Sequence, residues 1–311
     1  MPEAQQSTDT VVMIRPFAFG FNADTAASNR YQAQQPPEHD VSEVARREFD
    51  ALASTLSAAG VNVVTVDDTA DPHTPDALFP NNWFSTHADG QVVLYPMLAP
   101  SRRAERRRDI FEQLQTDRGH SVSDITDFSG LEANDVFVEG TGSLVLDRHA
   151  KVAYACLSDR TDPVGVKTIC QALGYTPVMF TGVDAGGIPI YHTNVCLAIG
   201  TNWAIVSAEA LASSVERAAV LDALAESGRE IVTISLNQVA KFCGNALELM
   251  STSGETLIAM SSQAHGALDE LQRLTLSRHG RIVHADIGTI ERLAGGSVRC
   301  MLAEIFLPAA R

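Results

Sequence analysis

Residues 194–207 read Asn-Val-Cys-Leu-Ala-Ile-Gly-Thr-Asn-Trp-Ala-Ile-Val-Ser, and this stretch contains the unit that recurs along the chain. It consists of two short apolar runs separated by the turn residues Gly200, Thr201 and Asn202. Apolar runs of this length on either side of a tight turn are typical of a β-hairpin. The stretch therefore predicts two antiparallel strands, of which the first begins near Asn194.

The same hairpin pattern recurs along the chain. Two apolar runs around a turn are found in residues 82–97, 143–157 and 245–261, and a half-unit lies in residues 296–307. The units that begin at Ser143, Asn194, Asn245 and Ser297 start 51, 51 and 52 residues apart. A period of about fifty residues indicates one supersecondary block, which buries a core only when its copies pack together.

A helix-like stretch follows each hairpin, in residues 102–115, 162–173, 208–227 and 263–274. Return strands are predicted as well, for example in residues 61–66 and 231–235. We expect the C-terminal half-unit to pair with the N-terminal strand of residues 11–16 and the helix of residues 41–59. Five units then close into a ring without exposed sheet edges. The sequence predicts one closed α/β domain over residues 1–311, with a pocket where the first strands begin.

The composition is that of a globular protein that acts on a small solute. The 311 residues are 45% hydrophobic and 20% charged, which is enough to bury a large core. The formal net charge of −15 argues against nucleic acid or an anionic membrane as a partner, because both are bound mainly through clustered Lys and Arg. The chain has no bilayer-spanning apolar run and no signal-like N-terminus, so we expect a cytoplasmic protein.

The cysteines and the charged run favour neither a metal site nor a polyanion site. The five cysteines are odd in number and widely spaced, and no His, Asp or Glu spacing matches a metal motif. We therefore expect mostly reduced thiols, no bound metal and no cofactor. Residues 102–109 read Arg-Arg-Ala-Glu-Arg-Arg-Arg-Asp. Because acids interrupt the arginines, we interpret this run as a solvated helix face.

Polar side chains stand where the first strand of each unit begins, and we expect them to line the pocket. They are Asn81, Asn82, Glu139, His192, Asn194, Asn245 and Cys300. A thiol, an imidazole and a carboxylate from separate units are the set needed for nucleophilic attack with proton transfer. Each also has a simpler interpretation, since a free cysteine usually packs as a small apolar residue and a lone histidine is more often structural. The glycines before Cys300 and the adjacent cation of Arg299 favour a reactive thiol.

Several segments resemble the guanidino-modifying (pentein) superfamily, which includes arginine deiminases, dimethylarginine dimethylaminohydrolases, amidinotransferases and succinylarginine dihydrolases. The segments are Met13-Ile-Arg-Pro with Phe17-Ala-Phe-Gly-Phe-Asn, Phe79-Pro-Asn-Asn-Trp, Glu139-Gly-Thr-Gly, Leu157-Ser-Asp-Arg-Thr-Asp, Tyr191-His-Thr-Asn, Phe242-Cys-Gly-Asn and Gly295-Gly-Ser-Val-Arg-Cys-Met-Leu-Ala-Glu-Ile. Their order and spacing cover nearly the whole chain. Within the superfamily the likeness is greatest to the citrulline-utilising hydrolases (citrulline ureidases), which are also described as amidinotransferase-like.

The resemblance implies a fold and a set of roles. The fold is a five-bladed pseudo-symmetric α/β propeller, the pentein fold. Cys300 is the implied nucleophile, His192 the general acid/base, and Glu139 the acid that orients His192 or binds a substrate nitrogen. Arg160 matches the arginine that clamps the substrate α-carboxylate, a task suited to a bidentate guanidinium.

Departures from the family pattern bear on the substrate. Arginine deiminases place carboxylates around the cationic guanidinium, whereas the matching positions here are Asn82 or Asn81, Asn194 and Gly142. Neutral amides both donate and accept hydrogen bonds, so they suit an uncharged ureido group. We expect a cysteine hydrolase that converts citrulline to ornithine, carbon dioxide and ammonia.

Alternatives to citrulline hydrolysis stay open at this point. They are an arginine deiminase, a succinylarginine-type dihydrolase, a dimethylarginine hydrolase, an amidinotransferase that uses an acceptor amine, and a small-molecule binding module that retains the pocket. The oligomeric state is also open, with a homodimer among the possibilities.

Overall fold

The computed structural model describes residues 5–26, 28–32 and 41–310. Within these ranges fifteen strands form five sheets of three. The strands are β1 Thr10–Arg15, β2 Asn62–Asp67, β3 Phe84–Thr86, β4 Gln91–Leu94, β5 Asp124–Asp127, β6 Leu144–Asp147, β7 Val152–Leu157, β8 Thr176–Thr181, β9 Leu197–Ile199, β10 Trp203–Val206, β11 Glu230–Thr233, β12 Leu247–Met250, β13 Thr256–Ser261, β14 Arg281–Ala285 and β15 Ala303–Glu304.

Each sheet has the same internal order. Its middle strand pairs antiparallel with one neighbour and parallel with the other, as β7 does with β6 and β8. A tight turn produces the antiparallel pair, whereas a parallel pair needs a crossover connection. The C-terminal strand β15 pairs antiparallel with β1, and β1 pairs parallel with β2. The prediction that the C-terminal half-unit pairs with the N-terminal strand is therefore confirmed.

Eleven helices and four short 3-10 turns connect the strands in the part of the chain that the structure describes. The helices are α1 Ala23–Ala26, α2 Val41–Ala58, α3 Pro100–Arg103, α4 Asp109–Thr116, α5 Gly140–Ser143, α6 Pro163–Leu173, α7 Ser214–Glu226, α8 Leu236–Val239, α9 Ser262–Ala267, α10 Glu270–His279 and α11 Gly288–Ala294. The 3-10 turns are Pro80–Asn82, Ser129–Asn134, Thr193–Val195 and Val298–Met301.

Capping residues explain where the observed helices differ from the predicted ones. The helix predicted from residue 208 begins only at 214, because the side chain of Ser213 caps it by accepting from the backbone N–H of Glu216. The helix predicted over residues 263–274 is divided, since Asp269 forms a capping box with Gln272 and starts α10 there. The stretch 102–115 is likewise divided between α3 and α4.

The predicted starts of the first strands are also corrected. Asn82, Ser143, Asn194 and Cys300 lie in short helical turns that precede the strands, not in the strands themselves. A helical turn folds the backbone back on itself, so consecutive side chains leave in different directions. These turns can therefore present polar groups toward one another while the strands behind them stay apolar.

The short turns contact one another in cyclic order. Thr141 Oγ1 donates to the carbonyl of Asn81, and Thr193 Oγ1 donates to the carbonyl of Ser143. Asn245 Nδ2 donates to the carbonyl of Asn194. Asn245 Oδ1 accepts from the backbone N–H of Arg299, and the turn Val298–Met301 contacts the turn Pro80–Asn82. Polar groups from all five sheets are thus brought to one place.

Among the described residues, no helix is both long enough and apolar enough to cross a membrane.

Candidate active site

Cys300 lies in the turn Val298–Met301, and two glycines allow that turn to approach its neighbours closely. Gly295 has a φ of 63°, and a Cβ atom there would lie 2.7 Å from Asn29 Oδ1. A Cβ atom on Gly296 would lie 2.7 Å from the ring of Phe79. Larger residues at either position would push the turn outward. The glycines therefore hold Cys300, which is only 3% exposed, at the floor of a cleft.

Two side-chain amides contact the sulfur of Cys300. Asn245 Nδ2 lies 3.3 Å from Sγ and Asn194 Nδ2 lies 3.4 Å from it. Both asparagines are buried. Asn194 contacts the sulfur but is not among the residues that line the cleft, so its predicted role in substrate binding stays a prediction.

His192 and Glu139 form a buried pair, and His192 lines the same cleft as Cys300. His192 Nε2 lies 2.9 Å from Glu139 Oε2, and the other carboxylate oxygen accepts from the backbone N–H of Leu98 at 3.1 Å. Arg160 Nη1 is 3.4 Å from Oε2, and Arg102 Nη1 is 3.8 Å from it. Burial alone raises the pKa of Glu139, but the nearby cation of Arg160, the bond to His192 and the charge of Arg102 hold it well below its usual range. Glu139 is therefore a carboxylate at neutral pH.

The pKa of His192 is lowered to about 4, mainly because burial disfavours the charged imidazolium. Glu139 opposes this shift, whereas the cations of Arg160 and Arg102 add to it. The imidazole is consequently neutral at pH 7 and able to accept a proton. Because Glu139 binds Nε2, the other ring nitrogen is the one available for proton transfer.

Arg160 is held by the N-terminal segment. Its Nε and Nη2 donate to Ser28 Oγ at 3.0 and 2.8 Å, and Nη2 also donates to the carbonyl of Thr25 at 3.0 Å. The side chain lines the cleft together with His192 and Cys300. These contacts fix the direction of the guanidinium.

The structure distinguishes Asn82 from Asn81. Asn82 lines the cleft, its Oδ1 accepts from Arg102 Nη1 at 2.9 Å, and its Nδ2 has no hydrogen-bond partner. Asn81 is fully buried, does not line the cleft, and neither polar atom of its side chain has a partner. Gly142 lies close by, since a Cβ atom there would be 2.4 Å from Asn82 Nδ2 and 2.8 Å from His192 Nδ1. A carboxylate side chain therefore has no room at position 142.

The interpretation of residues 102–109 as a solvated helix face is wrong for Arg102. It is 2% exposed, lines the cleft, and bonds both carboxylate oxygens of Glu105 at 2.9 Å. Helix α3 ends at Arg103, so Arg102 and Glu105 turn inward while Arg108 is exposed. The burial of Arg102 was not predicted, because the interpretation of the charged run assumed one continuous helix.

Two further polar residues at the site received no role from the sequence. Asp76 is 3% exposed and lines the cleft; its Oδ2 accepts from Asn22 and Thr25, while its Oδ1 has no partner. Asn245 stood among the polar strand-start residues, and its contact with Sγ became visible only in the structure. Asp76 lies three residues before Phe79, a position that no periodicity singles out.

The cleft that these side chains surround is small and partly open, with about 270 Å³ of empty space. It is lined by Thr25, Asn29, Asp76, Phe79, Asn82, Arg102, Arg160, Tyr191, His192, Ala294, Gly295, Gly296 and Cys300. Among the described residues, no group of three or more His, Cys, Asp and Glu side chains could hold a metal ion. A thiol, a neutral imidazole and a free amide donor can instead support attack on an electrophilic carbon.

Comparison with known proteins identifies the class of enzyme. Residues 15–307 match the family model described as N,N dimethylarginine dimethylhydrolase, eukaryotic. The chain belongs to this family and thereby to the pentein superfamily of guanidino-modifying enzymes. It is a hydrolase that acts on carbon–nitrogen bonds of a guanidino-type group. A comparison with curated protein sequences found no match.

Solved structures share the fold. ArgZ, an arginine dihydrolase from the ornithine–ammonia cycle in Cyanobacteria, gives a TM-score of 0.74 at 16% identity over 96% of this chain and 41% of that one. The substrate-bound N-terminal domain of ArgZ gives 0.73 at 15% identity over 95% and 97%. A mutant of the enzyme DDAH from Pseudomonas aeruginosa in complex with citrulline gives 0.64 at 14% identity over 96% and 100%. The chain thus spans less than half the length of full ArgZ and nearly all of its N-terminal domain.

Proposed function

We propose that this chain hydrolyses citrulline to ornithine, carbon dioxide and ammonia through a covalent intermediate on Cys300. His192 serves as the general acid/base, and Glu139 orients it. Arg160, Asp76 and Asn82 bind the substrate.

The observation that carries the choice of citrulline is the free amide donor of Asn82. Arg102 donates to Oδ1, which fixes the orientation of the amide and leaves Nδ2 as an unpaired donor in the cleft. A ureido group has a carbonyl oxygen that accepts this N–H, whereas a guanidinium has only donors. A buried donor that meets another donor loses its hydrogen bond and costs about 1–3 kcal/mol.

We assign the α-carboxylate and α-ammonium groups of the substrate to Arg160 and Asp76. Both side chains form a hydrogen bond with Thr25. Arg160 Nη2 donates to the Thr25 carbonyl, and Asp76 Oδ2 accepts from the Thr25 hydroxyl at 3.2 Å. The guanidinium suits an α-carboxylate, and the unpartnered Oδ1 of Asp76 suits an α-ammonium. A cation and an anion side by side match a free amino acid.

The reaction follows in two steps from this placement. The sulfur of Cys300 attacks the ureido carbon, and the thiol proton passes to neutral His192 and on to the terminal nitrogen, which leaves as ammonia. Ornithine is then linked to the sulfur as a thiocarbamate. His192 takes a proton from water as that water attacks, the carbon–sulfur bond breaks, and the released carbamate separates into ornithine and carbon dioxide.

A dimethylarginine hydrolase is the second candidate, because the family model carries that activity in its description. Its substrate is a cation with methylated nitrogens. The carboxylates near the cleft are Asp76, which borders the Arg160 end, and Glu139, which is paired with His192. If Asp76 binds the α-ammonium, as we assign it, neither of these carboxylates is left to pair with a cationic guanidinium, which favours citrulline.

The architecture and location complete the proposal. We place the five sheets as the five blades of an α/β propeller, with the short turns at its axis, and assign the described residues to one catalytic domain. The cyclic contacts between the turns and the likeness to pentein structures support this arrangement. We expect the enzyme to act in the cytoplasm.

Incubation with four separate substrates tests the proposal. Citrulline, arginine, succinylarginine and dimethylarginine are each supplied while ammonia and the amino-acid products are measured. We expect ornithine and ammonia from citrulline at the highest kcat/KM of the four. Citrulline that accumulates from arginine or from dimethylarginine at a higher kcat/KM would contradict the assignment.

A further inference from the structure

Asn245 stands beside the reacting sulfur in a single orientation. Its Oδ1 accepts from the backbone N–H of Arg299 at 3.1 Å, and its Nδ2 donates to the carbonyl of Asn194 at 2.9 Å. These two bonds fix the positions of the amide oxygen and the amide nitrogen, since the first bond needs an acceptor and the second needs a donor. The same Nδ2 lies 3.3 Å from Cys300 Sγ, whereas Oδ1 lies 3.8 Å from it, so the amide group nearer to the sulfur is an N–H donor.

We infer that Asn245 is a further catalytic residue, whose side-chain amide donates a hydrogen bond to the Cys300 sulfur and stabilises its thiolate. The inference rests on the proposed role of Cys300 as the nucleophile. A hydrogen bond to a charged acceptor is stronger than one to its neutral form, so a fixed donor favours the thiolate over the thiol. Asn194 Nδ2, at 3.4 Å from Sγ, is placed to add a second donor.

Among the described residues, the ionisable groups around the Cys300 sulfur do not donate a hydrogen bond to it as the Asn245 amide does. His192 and Tyr191 come from the segment before β9, Arg299 belongs to the turn of Cys300, and Arg102 and Arg160 border the same cleft. His192 bonds Glu139, Tyr191 donates to the carbonyl of Gly295 at 2.5 Å, and the guanidinium of Arg299 is 3.4 Å from Glu304.

Arg102 and Arg160 are equally engaged elsewhere. Arg102 bonds Glu105 and Asn82, while Arg160 bonds Ser28 and the Thr25 carbonyl. Within the described residues, the side-chain hydrogen bonds to Sγ come from the two amides alone. The hydrogen bonds to the sulfur of the free enzyme therefore come from neutral dipoles, in contrast to a thiolate–imidazolium ion pair, and the cation of Arg299 acts on the sulfur only through its charge.

The test is the pH dependence of Cys300 alkylation by iodoacetamide, which needs no substrate. The variants are Asn245→Asp, which keeps the acceptor for the Arg299 N–H and removes the donor, and Asn245→Ala, which removes both. Modification is followed by the mass of the Cys300 peptide, with Cys300→Ser as the blank. Asn81→Ala is the matched control, because Asn81 is equally buried and makes no side-chain hydrogen bond.

We expect alkylation at pH 7 to fall about tenfold in Asn245→Asp, with the midpoint of the pH profile moved up by about one unit. Asn245→Ala should move the midpoint of the pH profile in the same direction by a smaller amount. Thermal unfolding shows whether each variant is folded. Asn81→Ala should keep the wild-type profile. An unchanged profile in folded Asn245→Ala would overturn the inference, as would an equal shift in Asn81→Ala. Since the assay contains no substrate, it stands apart from the question of whether citrulline is turned over.

Discussion

Replacement of Cys300 by serine is expected to abolish turnover of citrulline. The hydroxyl is nearly isosteric with the thiol, but it is a far weaker nucleophile without a strong base in contact with it. We expect kcat/KM to fall by about a thousandfold or more, which corresponds to about 4 kcal/mol of transition-state stabilisation. Steady-state assays of ornithine release measure the loss.

Two controls separate chemistry from folding in that variant. Citrulline should still bind Cys300→Ser, which isothermal titration calorimetry can measure, because the substrate-binding side chains Arg160, Asp76 and Asn82 are untouched. Cys170→Ser is a matched control, since Cys170 is a buried thiol on α6 that is not among the cleft-lining residues. Retention of activity in Cys300→Ser, or equal loss in a folded Cys170→Ser, would contradict the assignment of the nucleophile.

Asn82→Asp is expected to shift the preference between citrulline and arginine toward arginine. The substitution places an acceptor where Nδ2 now offers a donor, so the ureido oxygen meets a carboxylate. We expect kcat/KM for citrulline to fall about tenfold to a hundredfold, as for an unpaired buried polar group, while that for arginine does not fall. The ratio of the two kcat/KM values is the quantity to measure.

Asn81→Ala serves as the control for that ratio. Asn81 is adjacent to Asn82 and as deeply buried, but its side chain does not line the cleft. Its replacement should leave the citrulline-to-arginine ratio at the wild-type value. If Asn82→Asp left the ratio unchanged as well, the free amide donor would not be what selects the substrate.

The repeat could be predicted from sequence because hairpin turns and apolar alternation are local signals. The hairpins follow from residues within a few positions of each other, whereas the pairing of β15 with β1 was inferred from the incomplete unit that the repeat leaves at the C-terminal side. Asn82, Glu139, His192 and Cys300 were predicted as site residues for a related reason, since each lies beside the start of a unit, whereas Arg160 was assigned only through the resemblance to the family.

Residues whose roles depend on nonlocal contacts could not be predicted in the same way. Arg102 belongs to a charged run that is typical of a solvated helix, and only the end of α3 at Arg103 turns it inward. Asp76 has no periodic signal and acquires its position through contacts with Asn22 and Thr25, more than fifty residues earlier in the chain. The orientation of the Asn245 amide depends on partners from two other units.

The proposed mechanism requires a covalent thiocarbamate between the Cys300 sulfur and the ureido carbon. Rapid acid quench of the enzyme with citrulline labelled with carbon-13 at the ureido carbon, followed by peptide mass spectrometry, detects this intermediate. We expect an adduct on the Cys300 peptide with the mass of labelled citrulline less ammonia, and no adduct in Cys300→Ser. Single-turnover formation of ornithine without any labelled Cys300 peptide at any quench time would contradict it.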